Sequence, residues 1–212
     1  MKKLNKKGFT LIELLAVIVI MGILMFVAIP AISRTIENTR RDTFMNTAKS
    51  YADSVSTLWA SDGIACKKTD AAGAFLAGAA GVEKYPSQAV NNEIFYIRID
   101  SQNVGTNNGG AYPYYVPTLL QEGGKSSWGN MDVTGYVKVV AKEVSAGAGR
   151  TTIQPHIYVA MSDATHGISN SLSDGGTDDV ESKNLKRRHV ATASVAAISM
   201  PIAAGVYYCE EV

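Results

Sequence analysis

Two cysteines in 212 residues, Cys66 and Cys209, form no CxxC pair, so thiol redox catalysis and structural zinc lack the ligand spacing they need. The three histidines, His156, His166 and His189, fall in no HExxH arrangement and have no nucleophile at a catalytic spacing; each reads as a structural or surface residue. A GxSxG elbow, a Walker loop and a GxGxxG turn are all missing, and Gly147-Ala148-Gly149 lies between two strand-like runs as a hairpin loop. Net charge is only +1. Four of the lysines, Lys2, Lys3, Lys6 and Lys7, precede Phe9, and without them the balance turns acidic, which argues against DNA binding through bulk charge. No cofactor is implied. At 46% hydrophobic and 18% charged, the composition is that of a folded domain.

What is present is concentrated at the N-terminus, in Lys6 to Pro30: KKGFTLIELLAVIVIMGILMFVAIP. Phe9 to Pro30 is apolar apart from Thr10, Glu13 and Gly22, and as a helix reaches about 33 Å, enough to cross a hydrocarbon core. The cationic leader holds its side in the cytoplasm. A secretory signal would be cut after the run, with Ala31-Ile32-Ser33 as a poor small-x-small site. The length of the run, the acid within it and a helical pattern that continues beyond it argue instead for a retained anchor. A carboxylate at the centre of a bilayer helix costs roughly 2.5 to 3.5 kcal/mol, so Glu13 needs a partner.

Past Ala31 the apolar positions narrow to Ile32, Ile36, Phe44, Ala48, Tyr51, Val55 and Leu58, at helical steps. The opposite face carries Arg34, Glu37, Arg40, Arg41, Asp42, Lys49 and Asp53, a solvated pattern. The helix is expected to end near Asp62-Gly63, about 80 Å from its start, and its outer half to be covered by a globular part.

Residues 64–93 read as a connecting loop with a short helix around Ala71 to Ala80. Ile94 to Asp100, Tyr136 to Val144 and Ile153 to Met161 are expected strands, the last two joined by SAGAGR, with Pro155 at a strand start or an edge. Asn107-Asn108-Gly109-Gly110 marks a turn and Thr118 to Gln121 a short helical turn. Asp163 to Lys183 reads as a polar surface loop, and His189 to Val212 closes on a strand carrying Cys209. The fold class is α+β: a long N-terminal helix packed on a C-terminal antiparallel sheet. The expected division is 1–8 leader, 9–30 membrane half of the helix, 31–62 amphipathic half and 63–212 β-rich head.

The leader, the junction Gly8-Phe9, the acid Glu13 and the breakers Gly22 and Pro30 together resemble the type IV pilins and the related pseudopilins of type II secretion and competence systems. The resemblance rests on about the first 35 residues. It implies cleavage between Gly8 and Phe9 by a prepilin peptidase, N-methylation of Phe9, and pairing of Glu13 with the Phe9 amine of a neighbouring subunit during assembly. Gly22 and Pro30 would bracket a region that loses helical hydrogen bonds in the filament. The implied partners are copies of the chain itself, the peptidase, an assembly platform with its ATPase, minor pilins, and the cytoplasmic membrane before export to the surface. The chain is then an enzyme's substrate and not itself an enzyme. A monomeric membrane-anchored binding protein is the reading from a different class.

Other candidates are weaker. In an oxidising compartment Cys66 and Cys209 are expected to pair, the alternative being two free buried thiols. Asp163, Asp174, Asp178, Asp179 and Glu181 lie in or beside one polar loop where some pseudopilins hold calcium, but their spacing matches no defined calcium loop. Lys186-Arg187-Arg188 reads as a solvated turn, and Tyr112, Tyr114, Tyr115 and Trp128 as packing residues or an exposed aromatic surface.

Overall fold

The structure is a computed structural model and describes residues 10–68, 83–100, 126–129, 132–168, 180–191 and 205–211. The cleavage junction, Ala71 to Ala80, residues 107–110, 112–115 and 118–121, and Asp174, Asp178 and Asp179 lie outside the described residues.

One helix, α1, covers Leu11–Ala60. It is followed by β1 (Ile64–Lys68), β2 (Ile94–Asp100), β3 (Thr134–Gly147), β4 (Arg150–Ser162), β5 (Gly167–Ile168), β6 (Val180–Glu181), β7 (Val190–Ala191) and β8 (Tyr207–Glu211). These strands form one sheet in the order β1-β8-β2-β3-β4-β5-β7, with β6 beside β4. Every pairing is antiparallel except β2 with β8. The chain is α+β, a long helix with a mostly antiparallel sheet.

Two compact units divide at Arg40/Arg41. In the second, Phe44, Ala48, Tyr51, Ala52, Val55 and Trp59 are buried, one helical face at steps of three and four. They share a core with Phe95, Ile97 and Ile99 of β2, Val137 and Val139 of β3, and Val159 and Met161 of β4. The strand period of two sends the intervening residues to the other face, where Tyr96, Tyr136, Ala160, Val206 and Tyr208 form a second cluster. Trp59 meets Phe95 edge-on at 5.0 Å, and Phe95 stacks on Tyr207 at 4.9 Å.

The expected stripe is corrected at its start: Ile32 and Ile36 are exposed, and the buried face begins at Phe44. The SAGAGR loop is also shorter than expected. β3 and β4 run on until Gly147 pairs with Arg150, leaving Ala148 and Gly149, both at positive φ (51° and 71°), as a two-residue turn of the kind that matches strand twist. Pro155 lies within β4, opposite Ala141. The Ala141 N–H donates to the Glu93 carbonyl at 2.9 Å and its own carbonyl accepts from Asn92 at 2.8 Å. Ala141 thus turns its polar groups away from β4, and the N–H that Pro155 lacks is not needed in the β3–β4 ladder. At Gly135 a Cβ would stand 2.1 Å from the Ala160 carbonyl oxygen, so the closest approach of β3 to β4 requires glycine there.

Candidate functional site: the N-terminal segment and the contacts that close the head

Among the described residues of the first unit, the exposed surface is mostly apolar from Leu11 to Ile32. Every residue from Leu11 to Ile36 is exposed within the chain, and the best 18-residue window reaches a mean hydropathy of 2.9. By length and composition the helix is able to cross a membrane. Its few hydroxyls bond back to the helix itself: Ser33 donates to the Ile29 carbonyl and Thr35 to the Ala31 carbonyl, both at 3.0 Å. α1 runs through Gly22 and Pro30 without a break, although Pro30 has no N–H to offer the Phe26 carbonyl. A Cβ at Gly22 would meet nothing within 4 Å, so no packing among the described residues calls for glycine there.

At the start of α1, Thr10 and Glu13 close a capping box. The Thr10 N–H and hydroxyl both donate to Glu13 Oε2 at 2.8 Å, and the Glu13 N–H lies 3.4 Å from the Thr10 hydroxyl oxygen. Two N–H groups that a helix start leaves without partners are engaged in this way. The acid also sits in the first turn, where the helix dipole favours negative charge. Only Oε2 takes part: among the described residues Glu13 Oε1 has no hydrogen-bond partner. The pattern Thr-Leu-Ile-Glu is a readable S/T-x-x-E signal, so the role of Thr10 was available from the sequence.

The chain carries the prokaryotic N-terminal methylation motif. Its family model matches residues 3–29, the stretch that holds Gly8, Phe9, Thr10, Glu13 and Gly22. No curated protein and no solved structure matches the chain. The motif supports a type IV pilin-like or pseudopilin precursor, with the processing by prepilin peptidase that such a leader implies.

In the second unit, several contacts tie sequence-distant residues together. Cys66 and Cys209 stand opposite one another in the β1–β8 register and are joined as a disulfide, 143 residues apart in the chain. The backbone explains their closeness. Cys66 exchanges both of its hydrogen bonds with Lys84, at 2.9 and 2.8 Å, and is therefore a non-hydrogen-bonded partner of Cys209, the pairing in which Cα atoms come nearest; here they are 4.0 Å apart. Residues 64–68, expected as part of a loop, are thus a strand. Beside them Lys84 Nζ donates to both oxygens of Glu93 at 2.6 Å, and the Tyr207 hydroxyl donates to Glu93 Oε1 at 3.1 Å. Burial opposes the Glu93 charge, but these donors and the Val90 N–H outweigh it and hold its carboxyl below the usual range.

Arg187, expected in a solvated turn, instead grips Asp42 of α1 with two N–H donors, Nε to Oδ1 at 2.7 Å and Nη2 to Oδ2. Trp128 packs edge-on against Phe44 and stacks on His166, with ring centroids 5.5 and 3.7 Å away. His189 is buried, and His156 bonds Glu181 at 3.0 Å.

The surface-loop reading of 163–183 is corrected at its first residue. Asp163 is 3% exposed. Its Oδ1 accepts from the Thr165 N–H at 2.9 Å, the Thr165 hydroxyl at 2.8 Å and the His166 N–H at 2.6 Å, while Oδ2 accepts from the Ser126 hydroxyl. These bonds shape the turn that carries β4 into β5. Among the described residues, no group of three His, Cys, Asp or Glu side chains is arranged to hold a metal ion.

Burial disfavours the charged Asp163, yet the hydrogen bonds from Ser126, His166 and Thr165 prevail and keep its carboxyl below the ordinary carboxylate range. A lowered folded-state pKa contributes stability that is complete above the unfolded value and is lost as pH falls through the folded one. The contribution should therefore begin to fade below about pH 4. Asp163→Ala strands several buried donors and should cost roughly 2 to 4 kcal/mol at neutral pH. Urea midpoints at pH 7 and pH 3 check both points: the gap between wild type and variant should narrow in acid.

Proposed function

We propose that the chain is a structural subunit of a type IV pilus. Prepilin peptidase cuts it between Gly8 and Phe9 and methylates Phe9, and the exposed apolar half of α1, first held in the cytoplasmic membrane, becomes the core of a surface filament. The observation that carries this reading is the N-terminal methylation motif on a helix whose residues Leu11 to Ile36 are exposed among the described residues, while one face from Phe44 to Trp59 is buried. That apolar surface needs lipid at one stage and other copies at the next.

Glu13 and Gly22 fit the same reading. The capping box engages only Oε2 of Glu13, and on this reading the carboxylate pairs with the Phe9 amine of a neighbouring copy. Glycine at 22 lowers helix propensity by about 1 kcal/mol relative to alanine, and among the described residues no close packing requires it. A segment from Gly22 to Pro30 that unwinds on assembly gives both residues a use.

Imaging of cells expressing a tagged copy tests the proposal. Label is expected along the whole length of surface filaments. Label only at filament tips would make the chain a minor pilin, and a membrane-bound monomer without filaments would favour the anchored binding protein.

A further inference from the structure

At the C-terminal end of α1 lies an open cavity of about 380 Å³. Its lining is apolar at Trp59, Pro86 and Ile153 and polar at Asp62, Ser87 and Thr152. Asp62 Oδ1 accepts the Ser87 N–H at 2.7 Å. The other carboxylate oxygen has no hydrogen-bond or ion-pair partner among the described residues. The last turn of α1 carries no basic side chain, so the partial negative charge of the helix end adds to that of Asp62 instead of being offset. An apolar lining that also carries a carboxylate suits a cation on an aliphatic stem.

The same unit holds the complement. Lys186, Arg187 and Arg188 are exposed side by side. Arg187 is spent on Asp42, which fixes the position of this short turn against α1. Lys186 and Arg188, on either side, have no ion-pair partner among the described residues. Asp42 and the end of α1 at Ala60 are about 27 Å apart along the helix axis, so the free cations and the negative cavity mark opposite ends of one helical stretch. A single chain cannot bring them together.

We propose that the Lys186–Arg188 end of one copy docks in the Asp62 cavity of the next, head to tail along α1. The inference rests on the polymer reading above and adds a contact between heads offset by about 27 Å along the helix axis. Because the two surfaces differ and each copy carries both, the contact is heterologous and propagates instead of closing on itself. Arg188 and Lys186 supply the charge, and their methylene stems meet Trp59 and Ile153.

The test uses sheared filaments of the full mature chain. Asp62→Asn keeps the acceptor for Ser87 and tolerates the positive φ of 54° at this position, while removing the charge. Both Asp62→Asn and the double change Lys186→Gln with Arg188→Gln should lower the salt concentration at which filaments dissociate by about two-fold or more. All three changes together should lower it no further than the more affected of the two, since both remove the same contact. Additive effects, or no effect from either, would overturn the docking. Cross-linking gives an answer independent of those midpoints. In filaments carrying Ser87→Cys and Arg188→Cys, mild oxidation should produce a ladder of covalent multimers on a non-reducing gel, absent from either single variant. Normal filaments without a ladder would overturn the docking and leave the polymer reading standing. Wild-type chains that form no filaments would overturn both.

Discussion

Glu13→Val should abolish filaments while leaving the chain in the membrane. Valine removes the charge from the apolar run, so insertion is unchanged or improved. The variant removes the capping box with Thr10 and, on the proposed reading, the acceptor for a neighbour's amine. Glu13→Gln separates them, because glutamine also closes a capping box but carries no charge. If the ion pair is what assembly needs, the glutamine variant fails as the valine variant does. A capped but uncharged helix that still polymerises would show that Glu13 acts through the helix start alone. Filament yield in the sheared fraction, set against chain in the membrane fraction, reads both outcomes. Normal filaments from Glu13→Val as the only copy would remove the pairing account altogether.

The second large effect is expected at the disulfide. Cys66 and Cys209 close a covalent loop around nearly the whole head, and both are fully buried. Loops of this size gain most from cross-linking in the chain-entropy model, and removing such a bridge costs about 2 to 5 kcal/mol. The loss falls on β8, the last strand of the chain, which is inserted between β1 and β2. Replacing both cysteines with alanine avoids burying a hydroxyl. For a unit of this size it should lower the melting temperature of the mature protein in detergent by on the order of 10 °C. Reduction of the wild type should reproduce the shift, and a melting temperature indifferent to both treatments would show that the bridge contributes nothing.

The elements legible in the sequence are those whose signal is local. α1, read from the sequence as running from Phe9 to a stop near Asp62-Gly63, covers Leu11–Ala60, because its apolar period and that stop are both contained in the stretch itself. β2 has the bounds read from IFYIRID, and β3 and β4 extend one to three residues beyond the reading at each end because each supports the other's end. Ile64–Lys68 was missed for the opposite reason. Its sequence, IACKK, has no alternation, and the partner that makes it a strand is at the far end of the chain. Asp163 misled because composition reports what surrounds a residue in sequence, whereas its burial depends on Ser126 and on the turn it caps. The same holds for Arg187, whose partner Asp42 lies 145 residues away. In the N-terminal segment the relation is reversed: the chemistry is written in consecutive residues, and within the chain few contacts are added to it.

On the proposed reading the apolar segment is cut ahead of its start and kept. The mass of the N-terminal peptide from the mature protein decides this. A chain that begins at Phe9 and carries one added methyl group is expected. An intact Met1, or a chain that begins at Arg34 after loss of the whole apolar run, would contradict it.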